Sequence, residues 1–173
     1  MRPVTSPFSV PLLLLLLLPT LALSLGINCR GSFNCNPTLS FRHAYPYIPT
    51  FAALLANGTS PSGSGDKRLT GGPLPRNIYY SVDNLDEPNI ACVTIAHAGG
   101  GFCVFLQGNV PNEGILGEVV VERMGDLVAH GCQECGSVPL SGDNNPNEEG
   151  ILTVNWSTYT LGCNGVCEYG NTS

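Results

Sequence analysis

The stretch Ile90-Ala-Cys-Val-Thr-Ile-Ala-His-Ala-Gly-Gly-Gly-Phe-Cys-Val-Phe-Leu-Gln107 decides the fold. Ile90 to Ala96 and Phe102 to Gln107 are short runs rich in β-branched, aromatic and other apolar residues. His97-Ala-Gly-Gly-Gly101 between them is a turn signal, so the stretch predicts a β-hairpin. Cys92 and Cys103 stand symmetrically about its His97-Ala98 centre. Opposed residues of an antiparallel pair have Cα atoms about 4.5–5.5 Å apart, within reach of a disulfide. A Cys92–Cys103 bridge is therefore expected.

Outward from the hairpin, Asn77-Ile-Tyr-Tyr-Ser-Val82 reads as a strand, and so does Ile151 to Trp156, with Leu152, Val154 and Trp156 on one face. A helix is expected from about Gly114 to His130. Leu116, Val120, Met124, Leu127 and Val128 make its apolar stripe and Gly131 ends it, with His130 suited to the negative end of the dipole. A shorter helix is expected from Thr50, capped by that residue and ended by Asn57-Gly58, after an aromatic, proline-broken stretch from Phe41 to Pro49. Pro111-Asn-Glu-Gly-Ile-Leu116 and Pro146-Asn-Glu-Glu-Gly-Ile-Leu152 echo each other, and each reads as a turn that opens a regular element.

The amino-terminal 24 residues read as a signal peptide. Arg2 precedes an apolar block containing seven consecutive leucines, Leu12 to Leu18, and the small residues Ala22 and Ser24 precede a cut before Leu25. Pro11 and Pro19 interrupt the block, which is short for a span of about 20 apolar residues. The expected mature chain, 25–173, has 149 residues, one domain's worth. Arg2 is the only charge removed, so its formal charge is −7. That charge disfavours nucleic acid, which is bound through Lys and Arg, and the chain has no basic cluster for an anionic membrane surface. Residues 58–75, rich in Gly, Ser and Pro, read as a flexible exposed loop. Within it Lys67-Arg68 is a candidate processing site.

All eight cysteines, Cys29, Cys35, Cys92, Cys103, Cys132, Cys135, Cys163 and Cys167, fall in the mature part, and an even count in an exported chain implies a disulfide framework. Cys132 and Cys135 form a C-x-x-C at the end of a helix. A redox pair needs the helix amino terminus, where the dipole lowers the thiol pKa. Four zinc thiolates from Cys132, Cys135, Cys163 and Cys167 have tolerable spacing, but the oxidising export route opposes them. The two cysteines are read instead as ties to two different segments.

Two blocks carry a family resemblance. Leu25-Gly-Ile-Asn-Cys-Arg-Gly-Ser32 with Cys35, and Leu127-Val-Ala-His-Gly-Cys-Gln-Glu-Cys-Gly-Ser137 followed by Pro139-Leu140 and Leu152-Thr-Val-Asn155, resemble the virally encoded smut-fungus killer toxin of the KP-four type. The hairpin stretch is similar to secreted fungal relatives of that toxin, and residues 36 to 89 match poorly. The resemblance implies an α+β fold, an antiparallel sheet with two helices packed on one face in a disulfide-rich sandwich. It implies bridges from Cys29 to Cys132 and from Cys35 to Cys135, which leaves Cys163 with Cys167. It also implies growth inhibition of target cells by interference with calcium channels, through a basic residue just before the hairpin's first cysteine. In this sequence that position is Ile90, and the chain is acidic where the toxin is basic.

Other chemistry is not indicated. His43, His97 and His130 lie in separate contexts, and the glycines after His97 lack the setting of a phosphate loop. Asp143 to Glu149 is oxygen-rich, yet Val154 stands where a calcium loop needs Glu. Asp83, Asp86 and Glu87 read as a solvated turn. No catalytic residue, metal ligand or cofactor is expected. Sequons at Asn57, Asn155 and Asn171 allow N-glycans, most readily at Asn57 beside the loop. The expected protein is thus a secreted, extracellular, monomeric fungal effector of killer-toxin type. It would meet a target-cell membrane protein such as a calcium channel without inserting into the membrane or binding nucleic acid. The alternative is a non-toxic binding or structural module at a cell wall or host surface.

Overall fold

Alternation along the hairpin builds the sheet. In the computed structural model, which describes residues 26–35, 45–58, 71–82, 89–95, 98–141, 145 and 147–168, β2 (Asn89–Ile95) pairs antiparallel with β3 (Gly100–Gln107), and Cys92 faces Cys103. β6 (Ile151–Ser157) lies on the other side of β3 with β5 (Gly136–Pro139) beyond it, while β7 (Gly165–Val166) flanks β2. The order is β5-β6-β3-β2-β7, antiparallel throughout. The expected leader with its cut before Leu25, the Lys67-Arg68 pair, Asn171, His43, His97 and the Asp83, Asp86, Glu87 cluster lie outside the described residues.

Successive strand residues point to opposite faces. Phe102, Val104 and Leu106 therefore share one face with Leu152, Val154 and Trp156 and join the core, while Cys103 and Asn155 stand opposed on the other. Two helices cover the apolar face, and each fully buried large apolar side chain contributes about 1.5–3 kcal/mol. α1 (Tyr47–Asn57) buries Tyr47, Ile48, Phe51, Leu54 and Leu55, spaced for one helical face. Its start lies three residues before Thr50, with Pro46 at the cap position. Thr50 is inside the first turn, where its hydroxyl donates to the Pro46 carbonyl at 2.8 Å, so it does not cap the helix. Pro49 is tolerated there because first-turn N–H groups need no helical acceptor. What extends the helix is tertiary: the Tyr47 ring stacks on Phe102, 3.9 Å between centroids, and Phe102 meets Trp156 edge-on. Gly58 ends it at φ 68°.

α2 (Gly117–Ala129) begins three residues later than the stripe predicts. Ile115–Leu116 (β4) pairs instead with Tyr79–Tyr80 (β1), to which the expected Asn77-to-Val82 strand contracts. The turn before β4 needs Gly114: φ is 83°, and a Cβ there would stand 2.5 Å from the Tyr80 carbonyl oxygen. With no side-chain cap, the first helical N–H groups go to backbone; Gly117 donates to Ile78 and Glu118 to Arg76. Val120, Met124 and Leu127 are buried, whereas Val128 turns out to solvent. At the carboxyl end Gly131 donates to Val128 and Cys132 to Leu127, a paired closure that sends the chain from Cys132 back toward β5.

Candidate functional site

The resemblance directs attention to Ile90, and the structure buries it. Ile90 is 1% exposed in β2, and its carbonyl accepts the Cys167 N–H at 3.0 Å. Beside it the Asn89 amide donates to the Tyr159 carbonyl at 2.7 Å, itself 5% exposed. A cation at position 90 would be enclosed in the core rather than offered to a partner.

Four disulfides organise the surface around the sheet. Cys92–Cys103 crosses the hairpin with Cα atoms 4.1 Å apart, and Cys163–Cys167 closes a short loop after β6. The sulfurs of Cys92, Cys163 and Cys167 lie within 4.8 Å of one another, but each is engaged in a disulfide and none is a thiolate free to hold a metal. Thr94 fixes the terminal segment, its hydroxyl donating to the Cys163 carbonyl and its N–H to Asn164 Oδ1. A cleft of about 370 Å³ opens here, lined among others by Asn89, Thr160, Leu161, Asn164 and Glu168. Leu161 takes a left-handed backbone, φ 52°, and is half exposed beside the exposed Tyr159. No feature of the sequence pattern points to this cleft, because its walls come from Gly71, β2 and residues 160–168 together.

The C-x-x-C has the opposite surroundings. Cys132 bonds to Cys29 and Cys135 to Cys35, so the segment 29–35 is tied to the end of α2 by both of its ends. Hydrogen bonds also hold the backbone at and beside that segment. Asn28 exchanges both backbone hydrogen bonds with Ser137 in β5, at 2.9 Å each, and its amide reaches the Ser137 hydroxyl at 2.6 Å. Arg30 N–H donates to Asn28 Oδ1 and Ser32 N–H to Asn155 Oδ1. Gly31 lies against the Cys35–Cys135 bridge so closely that a Cβ would overlap Cys35 Sγ. From this frame Phe33 projects 73% exposed in a 3₁₀ turn, and Arg30 is exposed, with no ion pair among the described residues. Arg123, by contrast, is bound to Asp126 at 2.6 Å and to Glu122 at 3.0 Å.

The remaining candidates are separate from one another. Asn57 is exposed at the end of α1. Asn155 is half-buried in β6, its carboxamide oxygen accepting the N–H groups of Ser32 and Trp156. His130 is exposed at the end of α2. Beside Cys135, burial pushes the Glu134 carboxyl above its usual range.

Comparison with known proteins agrees with this architecture. No curated protein matches the chain. The Kp4 family matches residues 77–158, a range that runs from β1 through the hairpin, α2, the C-x-x-C and β6. Within the two helices, the five-stranded antiparallel sheet and the four disulfides, what is similar to the Kp4 killer toxin family is the region from β1 to β6, residues 77–158.

Proposed function

We propose that the protein is a secreted killer-toxin-like effector that acts without catalysis, as a monomer, on a membrane protein of a target cell, and so inhibits growth. The observation that carries this reading is the Kp4 match across the hairpin, α2 and β6. Secretion is supported by the leader pattern and by the pairing of all eight cysteines, since disulfides persist in oxidising compartments. Calcium entry is the process to measure, with purified residues 25–173 added to a panel of fungal and plant cells loaded with a calcium indicator. Growth arrest with reduced calcium uptake in a susceptible cell is the expected result. If no concentration alters growth or calcium in any cell of the panel, the effector reading fails.

A second reading, a wall- or surface-binding module that kept the scaffold without toxicity, is favoured by the acidic chain and by the burial of Ile90. Added calcium separates the two: it relieves a channel blocker and leaves wall binding unchanged.

A further inference from the structure

We infer that residues 29–35 are the contact surface of the effector, with Arg30 and Phe33 as its anchors. The partner is a protein on the target cell that offers a carboxylate to Arg30 and an apolar recess to Phe33. The inference rests on the effector reading above and adds the residues and the chemistry of contact.

Its basis is a contrast between backbone and side chains. The backbone of the segment is fixed by two disulfides, by the bridge to Ser137, by hydrogen bonds from Arg30 and Ser32, and by the seat of Gly31 on a disulfide. The side chains on display take no part in that fixing. Phe33 leaves 73% of its surface in water, more than any other large apolar residue described. A single exposed apolar residue on a mobile loop is ordinary. Here the loop is already ordered, so binding costs no further chain entropy. Arginine and aromatic side chains are also the types that dominate binding energy at protein interfaces. The guanidinium presents a fork of donors that matches a carboxylate, while the phenyl ring requires an apolar recess.

The test uses the full mature protein, labelled at its amino terminus and titrated onto intact cells of the panel by flow cytometry. Phe33→Ala and Arg30→Ala should each raise the apparent dissociation constant at least about tenfold. Tyr79→Ala, which removes another exposed ring, should leave it unchanged, and all three variants should keep the parent melting temperature and disulfide map. Shaving the cells with protease should abolish binding. Parent-like affinity in both loop variants overturns the inference while parental growth arrest leaves the effector reading standing. Binding that needs the loop but causes no arrest does the reverse. Binding that survives shaving, or no binding to any cell, overturns the inference.

Discussion

Ile90→Lys places the cation where the resemblance asks for it, and the structure predicts a folding defect rather than a gain of activity. Ile90 is 1% exposed, packed in the core with its backbone bonded to Cys167. A lysine enclosed there has a folded pKa depressed to about 6, against about 10.4 unfolded. At pH 7 the ammonium must lose its proton to stay inside, at about 1.36 kcal/mol per unit between pH 7 and the unfolded value, or about 4–5 kcal/mol. That is a large share of the about 5–15 kcal/mol typical of a domain, and amounts to a fall in melting temperature of more than about 10 °C. The sign with pH is fixed as well. Between the two pKa values the unfolded chain binds the proton and the folded chain does not, so the variant regains stability as pH rises from about 6 toward 10. Thermal melts of Ile90→Lys and Ile90→Met across that range check this, the methionine variant remaining near the parent. A lysine variant that melts with the parent at pH 7 and shows no slope would refute the burial of position 90, and with it the reason for looking elsewhere for the cation.

Three further outcomes are expected. Gly31→Ala drives a methyl into the Cys35–Cys135 bridge and should lower stability by about 1–3 kcal/mol in denaturant melts, with increased protease cleavage within residues 29–35. Replacing both Cys163 and Cys167 by alanine removes a loop of separation 4, and replacing both Cys35 and Cys135 a loop of separation 100. Chain entropy gives about 2 kcal/mol for the first and about 4.7 for the second, so the second variant should have the lower midpoint. The raised Glu134 pKa means that the folded chain holds that proton more tightly than the unfolded one, so stability falls as pH rises through the carboxylate range. Glu134→Gln should flatten that slope in melts from pH 3 to 7, and an unchanged slope would remove burial of this carboxyl as its cause.

Local signals were legible where the local sequence decides. The turn chemistry and symmetric spacing around Ala98 mark the hairpin and its register, and Gly58 and Gly131 mark the helix ends. The helix starts were not, because each is set at a distance: Tyr47 joins α1 through its stack on Phe102, and Ile115 leaves α2 to pair with Tyr80. β5 and β7 are not legible in the sequence, because four and two residues carry no period. In the candidate site, the cysteine-rich ends of 29–35 stand out in sequence. The exposure of Phe33 and the burial of Ile90 do not, since an apolar residue looks the same in either place until its neighbours are known.

The two long bridges have a consequence for biosynthesis. They join residues 103 and 100 positions apart, and synthesis from the amino end presents Cys29 and Cys35 long before their partners. Wherever oxidation outpaces synthesis, the early thiols are open to non-native bonds with each other or with Cys92, because no native partner has arrived. Reaching the native set then requires those bonds to be attacked and exchanged once Cys132 and Cys135 emerge. The expected consequence is that native yield rises with added disulfide isomerase more than with added oxidant.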